Sequence, residues 1–189
     1  MTVDRSRGGV GAAVPAVPPR LIAVWDPVVR LFHWGVVAAC GLNLFILSPG
    51  KTWHRYTGYA VLGLLAVRFV WGFVGTRHAR FSDFVRSPSS IKRYLVDLRH
   101  GREARHLGHN PVAAVMMLML MALLLATGVS GWMMTLDAFW GNGFIEEAHE
   151  VLANSIMMLA GVHALAAMVE SFRHRENLVL AMITGRKRA

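Results

Sequence analysis

Four histidines lie inside or at the edges of long apolar stretches of this 189-residue chain. They are His33, His54, His149 and His163. Ionisable side chains are costly in hydrocarbon, so their presence in such stretches marks a candidate functional site. A neutral imidazole nitrogen is also a common ligand of transition metals. Whether these four can act together on a metal depends on the elements that position them.

Four apolar segments are long enough to cross about 30 Å of hydrocarbon as helices. The predicted spans are 28–47, 53–74, 111–134 and 145–169. Asp26 and Asn110, each followed by proline, are the predicted N-caps of the first and third spans. Residues 1–20 are rich in Gly, Ala and Pro, which predicts a disordered tail before a single domain over 21–189. The predicted fold is an all-α integral membrane four-helix bundle.

The basic residues predict the orientation of these spans. Of the 20 lysines and arginines, 17 precede the first span or mark its start, connect the second span to the third, or follow the fourth. The connections on the opposite side carry only Lys51 and Arg55. By the positive-inside rule, both termini are therefore expected in the cytoplasm.

This orientation sorts the four histidines into two depths. His149 and His163 are 14 residues apart in the fourth span, so they share a face and lie roughly 21 Å apart along the helix axis. His54 then lies level with His149 towards the outside, and His33 lies level with His163 towards the cytoplasm. Two level pairs are what two stacked haems with paired histidine ligands require.

Two other interpretations apply to histidines in apolar helices. Any one of them, taken alone, could be a hydrogen-bonded core residue. Zinc prefers four clustered nitrogen or sulfur ligands, which pairs roughly 21 Å apart do not provide. The five remaining histidines, predicted to be mostly solvated, are His78, His100, His106, His109 and His174.

Arg68 is the one charged residue deep inside a predicted span. A buried guanidinium requires an anion, and the carboxylates of a haem at the inner level would supply one. Arg30, three residues before His33, could reach the same carboxylates. Arg55 and Lys51 could do so at the outer level. Ordinary snorkelling towards the membrane surface is the alternative for the residues near span ends.

Glycines beside the histidines would leave space for a flat macrocycle. Gly58 lies one helical turn from His54, and Gly128 lies at the outer level of the third span. Close contact between helices through small residues is the alternative for each glycine.

The composition limits the remaining classes of function. The chain is 54% hydrophobic and 16% charged, with a mean hydropathy of +0.42, which indicates a membrane protein. A net charge of +9 could suggest nucleic-acid binding, but the basic residues lie between apolar spans and are better explained by topology. Cys40 is the single cysteine, so an intrachain disulfide and a cysteine-based metal site are excluded. Covalent haem attachment is not expected, because no C-x-x-C-H motif occurs.

Five stretches, taken together, resemble a known family. They read "VWDPVVRLFHW", "WHRYTGYAVLGLLAVRFVWGF", "GHNP", "EEAHEVLANSIMMLAGVHALA" and "RENLVLAMITGRK". They are similar to the prokaryotic cytochrome b561 and Ni/Fe-hydrogenase cytochrome b-subunit family over about residues 21–188. The resemblance implies a bundle in the bacterial inner membrane with two non-covalent haems b. The family's histidine ligands map onto His33, His54, His149 and His163.

The resemblance further implies electron transfer between a redox partner, such as a c-type cytochrome or a hydrogenase, and the quinone pool. A stand-alone superoxide:quinone oxidoreductase is the first alternative, and a cofactor-free transporter or structural bundle is the second. The outer connection carries acids rather than cations, which favours a basic partner protein over guidance of an anion such as superoxide. An electron-transfer subunit is preferred over an independent enzyme, and if the chain is an enzyme it is expected to be an oxidoreductase that uses quinone.

Overall fold

The computed structural model describes residues 21–188 apart from 86, 103 and 105. In chain order its elements are strand β1 (Leu21–Ala23) and helices α1 (Pro27–Phe45), α2 (Thr52–Val74), α3 (Phe81–Phe84), α4 (Pro88–Arg99), α5 (Pro111–Met133), α6 (Gly143–Arg173) and α7 (Leu178–Thr184), followed by strand β2 (Arg186–Arg188). Two 3-10 turns lie at Arg77–Ala79 and Asp137–Phe139. The tail predicted over 1–20 lies outside the described residues.

Helices α1, α2, α5 and α6 are each long and apolar enough to cross a membrane, by length and composition. They coincide with the four predicted spans to within a few residues at each boundary. The exception is α6, which continues to Arg173, four residues past the predicted end. The mainly helical class is confirmed, whereas the two-stranded sheet was not predicted.

The starts of two helices follow the predicted capping signals. The side chain of Asp26 accepts a hydrogen bond from the Val29 amide at 2.9 Å. The side chain of Asn110 accepts one from the Ala113 amide at 2.7 Å. In both cases the following proline occupies the first turn, where its missing N–H costs nothing. Both predicted N-caps are confirmed.

The four long helices pack in a fixed order around a small central core. Helix α1 packs on α2, α2 on α5, and α5 on α6. The buried residues of this central core are Ala39, Val61, Leu65, Leu124 and Ile156. Ile156 lies seven residues from each histidine of α6, so the core occupies the middle of the bundle. The apolar side chains outside it are largely exposed on the bundle surface, as lipid-facing residues must be.

The two ends of the bundle differ in charge and in construction. We name the end with both terminal segments and the α2–α5 connection the basic end, and the opposite end the acidic end. At the basic end β1 pairs antiparallel with β2, with Leu21 opposite Arg188. The amides of Val24 and Trp25 then donate to the carbonyl oxygen of Gly185. This pairing joins the first and last described segments of the chain.

Asp26 links the first two helices at the basic end. Besides capping α1, its carboxylate accepts hydrogen bonds from Trp71 Nε1 at 2.9 Å and from the Thr76 hydroxyl at 2.6 Å. Partial burial alone would raise the pKa of Asp26, but the bonds from Thr76, Trp71 and the backbone outweigh it and lower the pKa. The ionised carboxylate therefore stabilises the start of α1 and the end of α2 together.

Replacing Asp26 with alanine should lower the free energy of unfolding by about 2 kcal/mol at neutral pH, because a cap and two charged hydrogen bonds are lost. A carboxylate with a lowered folded-state pKa stabilises above its unfolded pKa and loses that effect as the pH falls. The difference between wild type and Asp26→Ala should therefore shrink below about pH 4.

Thermal unfolding in detergent at several pH values measures this difference. Asp137→Ala is the matched control, because the Asp137 side chain is exposed at the acidic end. Equal losses of stability in Asp26→Ala and Asp137→Ala would contradict the linking role of Asp26. So would a stability difference between wild type and Asp26→Ala that grows in acid.

Candidate cofactor site

The first pair of histidines lies towards the basic end, between α1 and α6. The ring centroids of His33 and His163 are 6.4 Å apart, with the ring planes inclined at 54°. Both residues are partly buried. Nδ1 of His33 is shielded from solvent and has no hydrogen-bond partner among the described residues. The pair therefore offers nitrogen atoms that the surrounding protein leaves available.

The second pair lies towards the acidic end, between α2 and α6. The ring centroids of His54 and His149 are 6.2 Å apart, inclined at 67°. Nδ1 of His54 is also shielded and has no partner among the described residues. The structure thus brings together the same two pairs that the sequence predicts from depth.

Helix α5 supplies no histidine but fixes the orientation of His149. Nδ1 of His149 lies 3.0 Å from the Thr127 carbonyl oxygen and 3.0 Å from the Ser130 hydroxyl. A carbonyl only accepts, so this contact places the proton on Nδ1 and leaves Nε2 available as a ligand. At Gly131 a Cβ would lie 3.0 Å from Cε1 of the same ring. The sequence predicted space at Gly128 in this part of α5 but not the role of Ser130.

The spacing of both pairs fits one metal ion between two imidazoles. With metal–nitrogen bonds of about 2 Å on each side, two ligating rings have centroids roughly 6 Å apart. No group of three or more His, Cys, Asp or Glu side chains in the described part of the chain could hold a metal ion. Two nitrogen donors per site therefore suit a metal whose other ligands come from a macrocycle, as in haem.

Arg68 on α2 is buried near the basic end, with 1% of its surface exposed. Its Nη2 donates to the carbonyl oxygen of Ala79 at 3.0 Å, and the guanidinium lies 5.2 Å from the centre of the Phe81 ring. Its Nη1 is shielded and has no hydrogen-bond partner among the described residues. One terminal nitrogen of this buried cation therefore has no protein acceptor among the described residues.

His109, predicted to be solvated with the other connecting histidines, packs into the basic end instead. Its ring lies 4.7 Å from the Trp25 ring and 5.1 Å from the Phe84 ring. Burial, followed by the positive charge of Arg68, lowers the pKa of His109 to about 3, so the ring is neutral at physiological pH. Nδ1 is shielded without a partner among the described residues. Nothing in "RHLGHNP" distinguishes His109 from His106, because the contacts are tertiary.

The other predicted cations occupy less enclosed positions. Arg30 donates from Nη2 to the carbonyl oxygen of Ile183 in α7, while its Nε is shielded and has no partner among the described residues. Lys51 and Arg55 are exposed at the acidic end. Arg30 is thus partly engaged by the C-terminal helix, and the two outer cations lie at the surface of the bundle.

The two glycines predicted to flank a macrocycle differ in their surroundings. At Gly58 an added Cβ would meet nothing within 4 Å. At Gly128 it would lie 2.5 Å from Cδ2 and 2.8 Å from Cγ of Leu62, which is a contact between α5 and α2. The open space beside Gly58 suits a bound group, whereas Gly128 allows close packing of two helices.

Comparisons with known proteins give one family. A family model described as prokaryotic cytochrome b561 matches residues 24–185. Three similar curated proteins, each described as a probable Ni/Fe-hydrogenase B-type cytochrome subunit, are 23% identical to the chain. The Rhodobacter capsulatus protein aligns over 88% of this chain and 81% of its own length, and the Rhizobium leguminosarum bv. viciae protein over 99% and 97%. No solved structure matches.

Alanine substitutions should separate the two glycines. Gly128→Ala should lower the stability of the haem-free protein by about 1–3 kcal/mol, because a methyl group overpacks the contact with Leu62. Gly58→Ala should leave that stability unchanged or raise it by up to about 1 kcal/mol, since alanine favours the helix and meets no neighbour. Thermal unfolding of protein prepared under haem limitation measures both effects, and equal destabilisation by the two variants would refute the assignment.

Proposed function

The chain belongs to the prokaryotic cytochrome b561 family, and from this we propose that it is a di-haem electron-transfer protein that moves electrons across the bacterial inner membrane. Membership makes it a multi-pass membrane cytochrome of the b type, and the four apolar helices agree with that class. The number of haems, the ligands, the direction across the membrane and the partners form our proposal.

The observation that carries the proposal is the pairing of four histidines at two depths. His33 with His163, and His54 with His149, would each hold one haem b through the iron. When bound, the haem supplies a reversible one-electron change at iron. The imidazoles hold the two sites near opposite ends of the bundle, and the central apolar core between them excludes water.

Charged and small residues would complete each site. Arg68 would offset a haem carboxylate at the basic end, with Arg30 as a second donor through its unpartnered Nε. Lys51 and Arg55 would do so at the acidic end. Gly58 would leave space for the macrocycle beside His54. Gly128 would keep α5 close to α2, while Ser130 on the same helix would orient His149.

The charge distribution supports an orientation with the basic end in the cytoplasm. This end carries both terminal segments, so both termini would be cytoplasmic. The acidic end would then face the periplasm. Electrons would pass between the two sites and so cross most of the hydrocarbon.

A redox partner protein would dock at the acidic end. There Trp140 and Phe144 are 78% and 80% exposed, and Glu146, Glu147 and Glu150 are exposed on the first turns of α6. Exposed aromatic side chains and acids at the same end suit a partner with a basic surface. The relatives' names indicate a hydrogenase as that partner, with a c-type cytochrome as the other candidate. The quinone pool would exchange electrons with the protein, and superoxide would be repelled by the acids.

Purified protein should contain two haems b per chain. The haems should be extracted by acidified acetone, because the sequence lacks the C-x-x-C-H motif needed for covalent attachment. A pyridine haemochrome assay normalised to protein concentration measures the ratio. One haem per chain, or none, would overturn the proposal.

Removal of the ligands should divide the four histidines into two groups. His33→Ala and His163→Ala should each abolish the same low-spin haem signal, while His54→Ala and His149→Ala should abolish the other. Electron paramagnetic resonance of the four purified variants resolves the two signals. His100→Ala, at an exposed position, is the control and should keep both signals. If His33→Ala and His54→Ala abolished the same signal, the pairing would be refuted.

A further inference from the structure

The basic end contains two buried hydrogen-bond donors that the protein itself does not use. One is Nη1 of Arg68, and the other is the imidazole of His109, whose Nδ1 is shielded. Leaving a buried donor unpaired is destabilising, and most of all for a charged group. Two such groups near one another indicate a binding site for a hydrogen-bond acceptor that the protein itself does not supply.

Arg68 forms no direct ion pair with a carboxylate among the described residues. Asp26 is the carboxylate whose charge acts on Arg68, but its oxygens already accept hydrogen bonds from Val29, Trp71 and Thr76. The Ala79 carbonyl satisfies Nη2 alone. The guanidinium therefore keeps one donor, Nη1, without an acceptor among the described residues.

His109 lies in the same region as Arg68. The Arg68 guanidinium is 5.2 Å from the centre of the Phe81 ring, Phe81 is 5.7 Å from Phe84, and Phe84 is 5.1 Å from His109. The cations that act on the His109 ring are Arg68, Lys187 and His163, and Asp83 acts in the opposite sense. The rings of Trp25 and Phe84 hold His109 in place. A neutral imidazole beside one guanidinium provides two donors and a single positive charge. That combination matches one carboxylate, which has two acceptor oxygens and a single negative charge.

We propose that His109 is a haem-binding residue, which together with Arg68 holds one carboxylate of the haem at the His33–His163 site. This assignment rests on the proposed function, because it requires a haem at that site. His109 is not an iron ligand in this arrangement. It donates a hydrogen bond to the carboxylate and so disperses the negative charge near the iron.

Two substitutions separate hydrogen bonding from packing. His109→Phe keeps an aromatic ring between Trp25 and Phe84 but removes both nitrogen atoms. His109→Asn loses most of the ring but keeps an N–H donor near the position of Nδ1. A donor role predicts that the Phe variant is impaired and the Asn variant close to wild type, whereas a packing role predicts the reverse.

The measurements are haem content per chain and a redox titration that follows the two haems separately. In His109→Phe the haem at the basic end should be partly lost or have a lower reduction potential, because an unscreened carboxylate favours ferric iron. The haem at the acidic end should be unchanged and serves as an internal check of folding. Arg68→Leu should shift the same haem, and the double variant should shift it by less than the sum. His100→Phe, at an exposed position, is the matched control.

Each outcome decides the assignment. A normal basic-end haem in His109→Phe, equal shifts of both haems, or a greater loss in His109→Asn than in His109→Phe would overturn the role of His109. A wild-type protein with fewer than two haems would instead refute the proposed function. That result comes from the wild type alone and is distinguishable from any effect of the variants.

Discussion

The structure depends on helix α6 facing α1 and α2 with nearly the same distance between the histidine rings of each pair. Helix α6 carries His149 and His163 on one face, and across from them α2 and α1 each present one histidine with ring centroids little more than 6 Å away. Helices in direct contact would bring such rings closer, and a wider separation would prevent both from reaching one ion. The remaining helices must therefore hold α6 near α1 and α2 without letting them collapse together.

Helix α5 meets this requirement by packing between α2 and α6. Its contact with α2 is close, because Gly128 lies against Leu62, and its contact with α6 includes Ser130, Thr127 and the His149 ring. Orientation of a metal-binding histidine through its second nitrogen is a general feature of metal sites. Helix α5, which carries no histidine, thus fixes the orientation of His149 in the pair that α2 and α6 form.

The sequence predicts much of this arrangement, because the relevant signals are local or periodic. Long apolar runs mark the spans, Asp-Pro and Asn-Pro mark two helix starts, and the 14-residue spacing in α6 places two histidines on one face. The position of His109, the contact of Arg30 with Ile183 and the pairing of β1 with β2 were not predicted. Each depends on residues far apart in the chain meeting at the basic end, and no local pattern encodes such a meeting.

The pairing of β1 with β2 also sets an order of events during biosynthesis. Leu21 emerges from the ribosome long before its partner Arg188, and all four apolar helices are made in between. Trp25, which follows β1 and packs on His109, therefore receives the last of its neighbours only when α7 and β2 have been translated. Until then β1 and Trp25 lack their C-terminal partners, so the basic end of the nascent chain cannot close.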